Sequence, residues 1–404
     1  MIEVVGVGDD GWDGLSRVCR SRILGAELLV GGSRHLAMVP EVTAQERRAW
    51  PSPLRTQLGG FLSDVAGSNV VALASGDPLR SGVATTLIEL LGADQVRVTP
   101  ALSSETLARA RMGWSAEDTE VVTLVGRSME RIRRHFSPGL KLIVLCSGGS
   151  DPRQIAAVLT EEGCGDSVVT AWSHLGGAKE QRRDARAAVW GSDPSPDLVL
   201  LCIEVAASAI TRPAVGPTPG RPDDVFDHDG QISKSDIRAS ALARLRPHPG
   251  GVLWDLGAGS GAVAIEWCLA APGATAVAVE RHEGRAAGIA DNAARLGVPS
   301  EVTIVRSTVE SMLAESERYP SPVAIFIGGG LDAEVIELAL AALVPGGRLV
   351  THAVTLESEA AMVAAAGVHG GSLTRLSVEH AEPLGRFLSW KPARAIVQWS
   401  VSKP

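Results

Sequence analysis

One stretch in the second half of the chain has the residue types and spacing to grip a small ligand. Val252 to Leu256 is an apolar run carrying Asp255 near its end, and Gly257, Gly259 and Gly261 follow at alternate positions. The run predicts a buried parallel strand, with the acid near the carboxyl end where open α/β sheets place ligands. A side chain at Gly257 or Gly259 would block a ligand's approach to the backbone, and Gly261 lets the following helix pack near the strand. A second apolar run, Thr275 to Val279, ends in Glu280, an acid able to accept hydrogen bonds from both hydroxyls of a ribose. Loop and downstream acid together describe a nucleoside site. The Gly-x-Gly-x-Gly spacing departs from the dinucleotide fingerprint.

The first half carries three turns of its own. Gly6-Val-Gly-Asp-Asp-Gly11 follows the first strand. In Ala74-Ser-Gly-Asp-Pro-Leu79, Gly76 and Pro78 make a tight turn at a strand's carboxyl end and expose Asp77. Pro100-Ala-Leu-Ser-Ser104 is the third, with Ser103 or Ser104 suited to capping a helix from Glu105.

The elements that must hold these turns alternate between apolar strands and helices. Strands are expected at Ile2 to Val7, Glu27 to Val30, Val70 to Ala74, Gln95 to Val98, Val121 to Val125, Leu140 to Cys146, Val168 to Trp172 and Leu198 to Ile203. Helices are expected at Ser16 to Leu24, Val83 to Leu91 and Pro152 to Glu162. This alternation predicts α/β architecture with mainly parallel or mixed sheets covered on their faces. Residues 211–224 are rich in proline and glycine and read as an exposed linker, dividing a domain at 1–210 from one at 225–404. Beyond the linker, Ser235 or a residue next to it is the expected cap of a helix. Past the glycine loop, Arg285 to Leu296 is a helix, and Val302 to Val305 and Val323 to Ile327 are strands. The segments Leu338 to Leu343, Gly347 to Thr351, Glu357 to Ala366 and Ala395 to Val401 complete a seven-stranded plan.

Composition narrows the class. At 404 residues the chain suits two domains, and 45% hydrophobic against 21% charged residues fits a globular fold. A net charge of -8 argues against a nucleic-acid partner. Cys19, Cys146, Cys164, Cys202 and Cys268 are scattered and odd in number, the pattern of reduced thiols without a zinc or disulfide framework, and no other metal motif appears. Cys146, Cys202 and Cys268 sit in apolar runs and are expected to be buried. The amino terminus enters a strand at once without a secretory pattern, and no run is long enough to span a membrane. A cytoplasmic enzyme with no membrane partner is the expectation.

Asp255-x-Gly-x-Gly-x-Gly261 followed by a strand-end Glu280 resembles the motif of class I S-adenosyl-L-methionine (AdoMet) methyltransferases. That resemblance implies a Rossmann-like fold with the glycine loop under the amino acid part of AdoMet, Asp255 near its ammonium, Glu280 on the ribose, and Ser307 and Thr308 at the adenine. The turns of the first half, with Leu175-Gly-Gly-Ala-Lys-Glu180, are similar in kind and order to the tetrapyrrole methylase family, or class III methyltransferases. This implies two α/β subdomains with AdoMet in the cleft between them and Gly8, Gly76, Asp77 and Ser104 as contacts. Members often place an aromatic residue after Gly-Asp-Pro, where this chain has Leu79-Arg80-Ser81-Gly82, so contacts there are expected to differ.

With Asp229 to Ala239, Phe326-Ile-Gly-Gly-Gly330 and Glu382-Pro-Leu-Gly-Arg-Phe387, the second half resembles the decarboxylating precorrin methyltransferases of the CbiT type, and the first half then resembles the CbiE type. The asparagine-proline turn of nitrogen methylases is absent at Gly328 to Gly330. The resemblance implies two methyl transfers to ring carbons 5 and 15 of a tetrapyrrole, with loss of carbon dioxide from the acetate at carbon 12. For the carboxylate-rich substrate, Lys234, Arg238 and Arg386 are candidate cations and His228 a candidate proton carrier. Isolated relatives of both halves self-associate, which implies a homo-oligomer. A class I methyltransferase acting on RNA or protein, with a first half that only binds tetrapyrrole or is inactive, is the alternative.

Overall fold

A computed structural model describes residues 1–64, 67–206 and 216–404; residues 211–215 of the expected linker lie outside the described residues. These divide into two compact units, residues 1–127 with 136–206, and residues 128–135 with 216–404.

The first unit has two sheets. Strands β1 (Ile2–Val7), β2 (Leu28–Gly31), β3 (Glu46–Ala49), β4 (Val70–Ser75) and β5 (Val96–Thr99) form an all-parallel sheet in the order β3-β2-β4-β1-β5. Val4 lies opposite Ala72 and Val98 across it. Alternate side chains feed two separate apolar layers: Val4, Val30, Ala72 and Leu87 in one, Val5, Ile23, Leu29 and Leu73 in the other. Strands β6 (Thr119–Thr123), β7 (Lys141–Leu145), β8 (Val168–Ser173), β9 (Gln181–Arg186) and β10 (Val199–Glu204) form a mixed sheet ordered β6-β7-β10-β8-β9. Only β6 and β7 run parallel within it. Trp114, Ile143, Trp172 and Leu200 pack with Ala108 of the helix Ser104–Met112 beneath it.

Every strand expected in this half forms, within two residues. The strands with no sequence signal are β3 and β9, Glu-Arg-Arg-Ala and Gln-Arg-Arg-Asp-Ala-Arg, which lie at sheet edges where charge is tolerated and blunts further pairing.

The second unit is one sheet of seven strands: β11 (Val252–Leu256), β12 (Thr275–Val279), β13 (Val302–Val305), β14 (Ala324–Ile327), β15 (Arg348–Ala353), β16 (Ser372–Leu376) and, last in the chain, Ile396–Ser402. Between these last two, β17 (Glu379–Leu384) and β18 (Phe387–Pro392) pair only with each other, which makes Ile396–Ser402 β19. The order β13-β12-β11-β14-β15-β19-β16 puts β11 beside the reversal of strand order, the place where such sheets bind ligands. Both faces are covered: Ala264, Trp267 and Ile289 belong to one buried layer, Ile336, Met362 and Trp399 to the other. The sequence marks six of these seven strands; the seventh, β16, is a largely exposed edge strand without apolar alternation. Ser235 is not a cap: Lys234 takes that position without a side-chain bond, and Ser235 is the first residue of the helix Ser235–Leu245. No helix among the described residues is long and apolar enough to cross a membrane.

Candidate functional site

In the second unit the glycine loop is held almost wholly by backbone and carboxylate contacts. Gly257 and Ala258 donate to the Val279 carbonyl at 3.0 and 2.9 Å. The Gly259 amide donates to Glu280 Oε2 at 3.0 Å, while Glu280 Oε1 accepts from the His282 amide at 2.9 Å. Each Glu280 oxygen keeps a further lone pair, so the site can still accept two hydroxyls. Asp255 is 1% exposed; its Oδ2 accepts from the Ala264 amide of the helix Ala262–Ala270 at 3.0 Å, and its Oδ1 has no partner. Burial pushes the Asp255 carboxyl up to about 7, against the Ala264 amide, with Glu280 nearby adding to the rise. A buried acceptor with an open lone pair beside a backbone cradle is what a cationic group would satisfy.

The glycines are required for reasons the sequence assigned differently. A Cβ at Gly257 (φ 73) would lie 2.8 Å from the Gly329 amide and carbonyl, so the glycine loop and Gly328-Gly-Gly330 meet backbone to backbone. At Gly259 the nearest atom is the Gln231 carbonyl at 3.3 Å, and at Gly261 it is Ile289 Cγ2 at 2.7 Å, on the helix Glu283–Arg295 rather than on the strand. The space is therefore taken up first by the protein itself. Asn292 carries no signal that the motif reading used. Fully buried, it accepts from the Asp227 amide and donates to the carbonyls of Asp227 and Ser260, tying the segment before the first helix to the glycine loop. A polar residue in line with buried Ile289 and Ala293 is the pattern that could have exposed it.

The remaining candidates of this unit separate. Arg238 does not reach a substrate, contrary to the expectation from sequence. It is fully buried and donates to Glu266 at 2.9 Å, to Asp223 at 3.3 Å and to the carbonyls of Ser233 and Arg221, with Phe226 stacked against it. Glu266, itself without exposure, also accepts from the amides of Gly220 and Arg221, so the pair anchors the lead-in segment. Lys234 is exposed, 3.3 Å from Asp223. His228 accepts from the Gly230 amide at 3.0 Å through Nδ1. Arg386 sits at the tip of the exposed β17–β18 ribbon over Phe387. Thr308 uses its hydroxyl to cap the helix Val309–Ala314 by accepting from the Ser311 amide, and Ser307 beside it is half-buried.

In the first unit, a cavity of about 340 Å³ is lined by Gly8, Gly76, Asp77 and Ser104 together, with Asp9, Arg34, Arg80, Glu105, Cys146 and Trp172 among its other walls. The three turns knit through backbone: Gly76 donates to the Val7 carbonyl and Ala101 to the Gly76 carbonyl, each at 3.0 Å. A Cβ at Gly6 would stand 2.0 Å from the Gly76 carbonyl, which fixes that position as glycine. Ser103, not Ser104, caps the helix, accepting from the Thr106 amide at 3.2 Å. Asp77 closes its own turn by accepting from the Leu79 amide at 2.9 Å. Arg80, in the Leu79-Arg80-Ser81-Gly82 stretch after the Gly-Asp-Pro turn, pairs with Glu105 at 2.8 Å on the cavity wall. Cys202 and Cys268 are buried as expected, whereas Cys146 is only half-buried and faces the cavity.

Comparison with known proteins matches both units. Residues 1–188 fit the family described as tetrapyrrole (corrin/porphyrin) methylases, and residues 224–403 the precorrin methyltransferase domain. A Mycobacterium tuberculosis (strain H37Rv) protein called precorrin-6Y C(5,15)-methyltransferase [decarboxylating] is 44% identical over 405 residues, covering 100% of both chains. One of the same name from Sinorhizobium sp is 40% identical over 403 residues, 100% of this chain and 96% of that one. A Salmonella typhimurium (strain LT2) protein called cobalt-precorrin-7 C(5)-methyltransferase is 31% identical over 180 residues, 43% of this chain and 85% of that one.

Proposed function

Because the chain belongs to the family of precorrin-6Y C(5,15)-methyltransferases (decarboxylating), we propose that each of its two units holds one molecule of AdoMet and that both serve a single macrocycle. The chain is an AdoMet-dependent methyltransferase of cobalamin biosynthesis that methylates a precorrin and decarboxylates it. In this reading the first unit methylates carbon 5, and the second methylates carbon 15 and removes carbon dioxide from the acetate at carbon 12. The existence of a relative named for carbon 5 alone, covering less than half of this chain, supports dividing the work between units.

The observation that carries the proposal is the pair of unrelated cradles. One is the cavity framed by Gly8, Gly76, Asp77 and Ser104, the other the glycine loop between Asp255 and Glu280. The residues fit the donor: the open Asp255 Oδ1 suits its ammonium, and Glu280 the ribose hydroxyls, with Ser307 and Thr308 beyond. When bound, AdoMet supplies an electrophilic methyl on its sulfonium. The electron-rich macrocycle supplies the carbon nucleophile, so the chain's tasks are alignment and exclusion of water. Loss of carbon dioxide leaves an electron pair for the conjugated ring and needs a proton returned to the side-chain carbon. Lys234, His228 and Arg386 stand as candidates for holding substrate carboxylates or moving that proton.

Mass spectrometry of the product formed from precorrin-6Y and AdoMet tests the reading, with two methyl gains and one carbon dioxide loss expected. Methyl transfer to a tRNA or protein pool with none to precorrin-6Y would instead favour the alternative. We further propose a cytoplasmic homo-oligomer without nucleic-acid or membrane partners. The β17–β18 ribbon supports self-association, because Leu384, Phe387, Leu388 and Trp390 are each at least 65% exposed on it. Light scattering on a Phe387→Ser, Trp390→Ser chain should then report a smaller particle than the unaltered chain.

A further inference from the structure

Methylating a ring carbon that bears hydrogen releases a proton: the carbon–methyl bond forms, the methyl–sulfur bond breaks, and the carbon–hydrogen pair returns to the ring as the proton leaves. A cavity of about 340 Å³ is at the small end of ligand sites. It suits the donor and leaves the macrocycle at its rim, so the proton acceptor belongs there.

The polar groups on the cavity wall are mostly committed. Glu105 is tied to Arg80 at 2.8 Å with Arg109 at 4.0 Å, Asp77 closes its turn, and burial pushes the Cys146 thiol far up so that it stays protonated. His35, behind the wall and bonded to its Ser75, is held down to about 4 by burial and by Arg34, too weak a base for the task. Asp9 stands apart. Its Oδ1 accepts from Arg34 at 2.9 Å, and its Oδ2 lies 3.2 Å from Nδ1 of His174. The loop carrying His174 is pressed onto Asp9, since a Cβ at Gly177 would fall 2.3 Å from Asp9 Oδ2 and 2.9 Å from its carbonyl. His174 itself takes a left-handed backbone (φ 52) next to cavity-lining Leu175. In a neutral ring that gives Nδ1–H to Asp9, Nε2 is left as the acceptor, and the His174 side chain is 30% exposed.

We propose that Asp9 and His174 form the proton-accepting dyad of the first unit. Nε2 of His174 takes the proton released at the methylated carbon, and Asp9, clamped by Arg34, orients the ring and stabilises the imidazolium. The arrangement of an open imidazole nitrogen with a carboxylate on the opposite nitrogen is the orienter-and-base geometry of acid–base sites. The inference rests on assigning the carbon-5 transfer to the first unit.

The test uses the full chain with ¹³C-methyl AdoMet, reading carbon-5 and carbon-15 methyl signals separately by NMR. His174→Ala should lower the carbon-5 rate by about 100-fold, keep S-adenosylhomocysteine binding in the first unit, and regain part of the rate with added imidazole. By ¹⁵N NMR the unaltered protein should show the Nδ1–H tautomer of His174, and Asp9→Asn should remove that tautomer and lower the same rate. An unchanged carbon-5 rate in His174→Ala, a loss that imidazole does not restore, or a loss that follows weakened S-adenosylhomocysteine binding overturns the dyad. The underlying assignment is checked apart from it. An Asp255→Ala chain, given either precorrin-6Y or its carbon-15-methylated, decarboxylated form, should still place a methyl on carbon 5, and failure on both substrates sinks the assignment rather than the dyad.

Discussion

At the scale of single residues, two buried carboxylates have opposite characters. Asp255 is buried with one oxygen open and a carboxyl raised to about 7 from 3.8. Between those values the folded chain retains a proton that the unfolded chain has lost, so this group's contribution to stability falls as pH rises through the window and is lowest above 7. Pairing with a donor ammonium requires that proton to leave. S-adenosylhomocysteine should therefore bind the second unit about tenfold more weakly per pH unit below 7, and calorimetry in buffers of different ionisation enthalpy should detect proton release near pH 6. Asp255→Asn should abolish this pH dependence. Glu266 is the opposite case, with its oxygens satisfied by Arg238 and the Gly220 and Arg221 amides. Glu266→Ala removes the buried carboxylate from Arg238, leaving it only Asp223 at 3.3 Å, and should cost about 3 kcal/mol in denaturant unfolding of the second unit.

At the scale of elements, what matters is how closely backbones approach. The helix Glu283–Arg295 lies against the glycine loop so tightly that Ile289 fills the place of a Gly261 side chain. Gly261→Ala meets that contact and a left-handed φ of 76 at once. It should destabilise the second unit by about 1–3 kcal/mol and weaken donor binding there, measured as a lower Tm and a larger Kd for S-adenosylhomocysteine. In the first unit the same logic ties Gly6 to the Gly76 turn. Those turns were legible in the sequence because glycine and proline punctuate chains locally. Edge strands β3, β9 and β16 were not, because a strand paired on one side needs no apolar period.

At the scale of the whole molecule, the prediction is stoichiometric. Calorimetric titration of the intact chain with S-adenosylhomocysteine should give two sites per chain, and the Asp255→Ala chain one; a single site in the unaltered chain would contradict the proposed division of labour. By itself the sequence determined the two α/β plans, the apolar strands and the loops that frame each cradle, since burial on two faces and sharp turns leave local marks in residue type and spacing. Only the tertiary structure decided what the polar side chains do. It took Arg238 out of reach of any substrate by giving it Glu266, 28 positions on, and it brought Asp9 to His174 across 165 positions. The physical reason is that a charge's partner is chosen by proximity after folding, whereas a period or a turn is written in neighbouring residues.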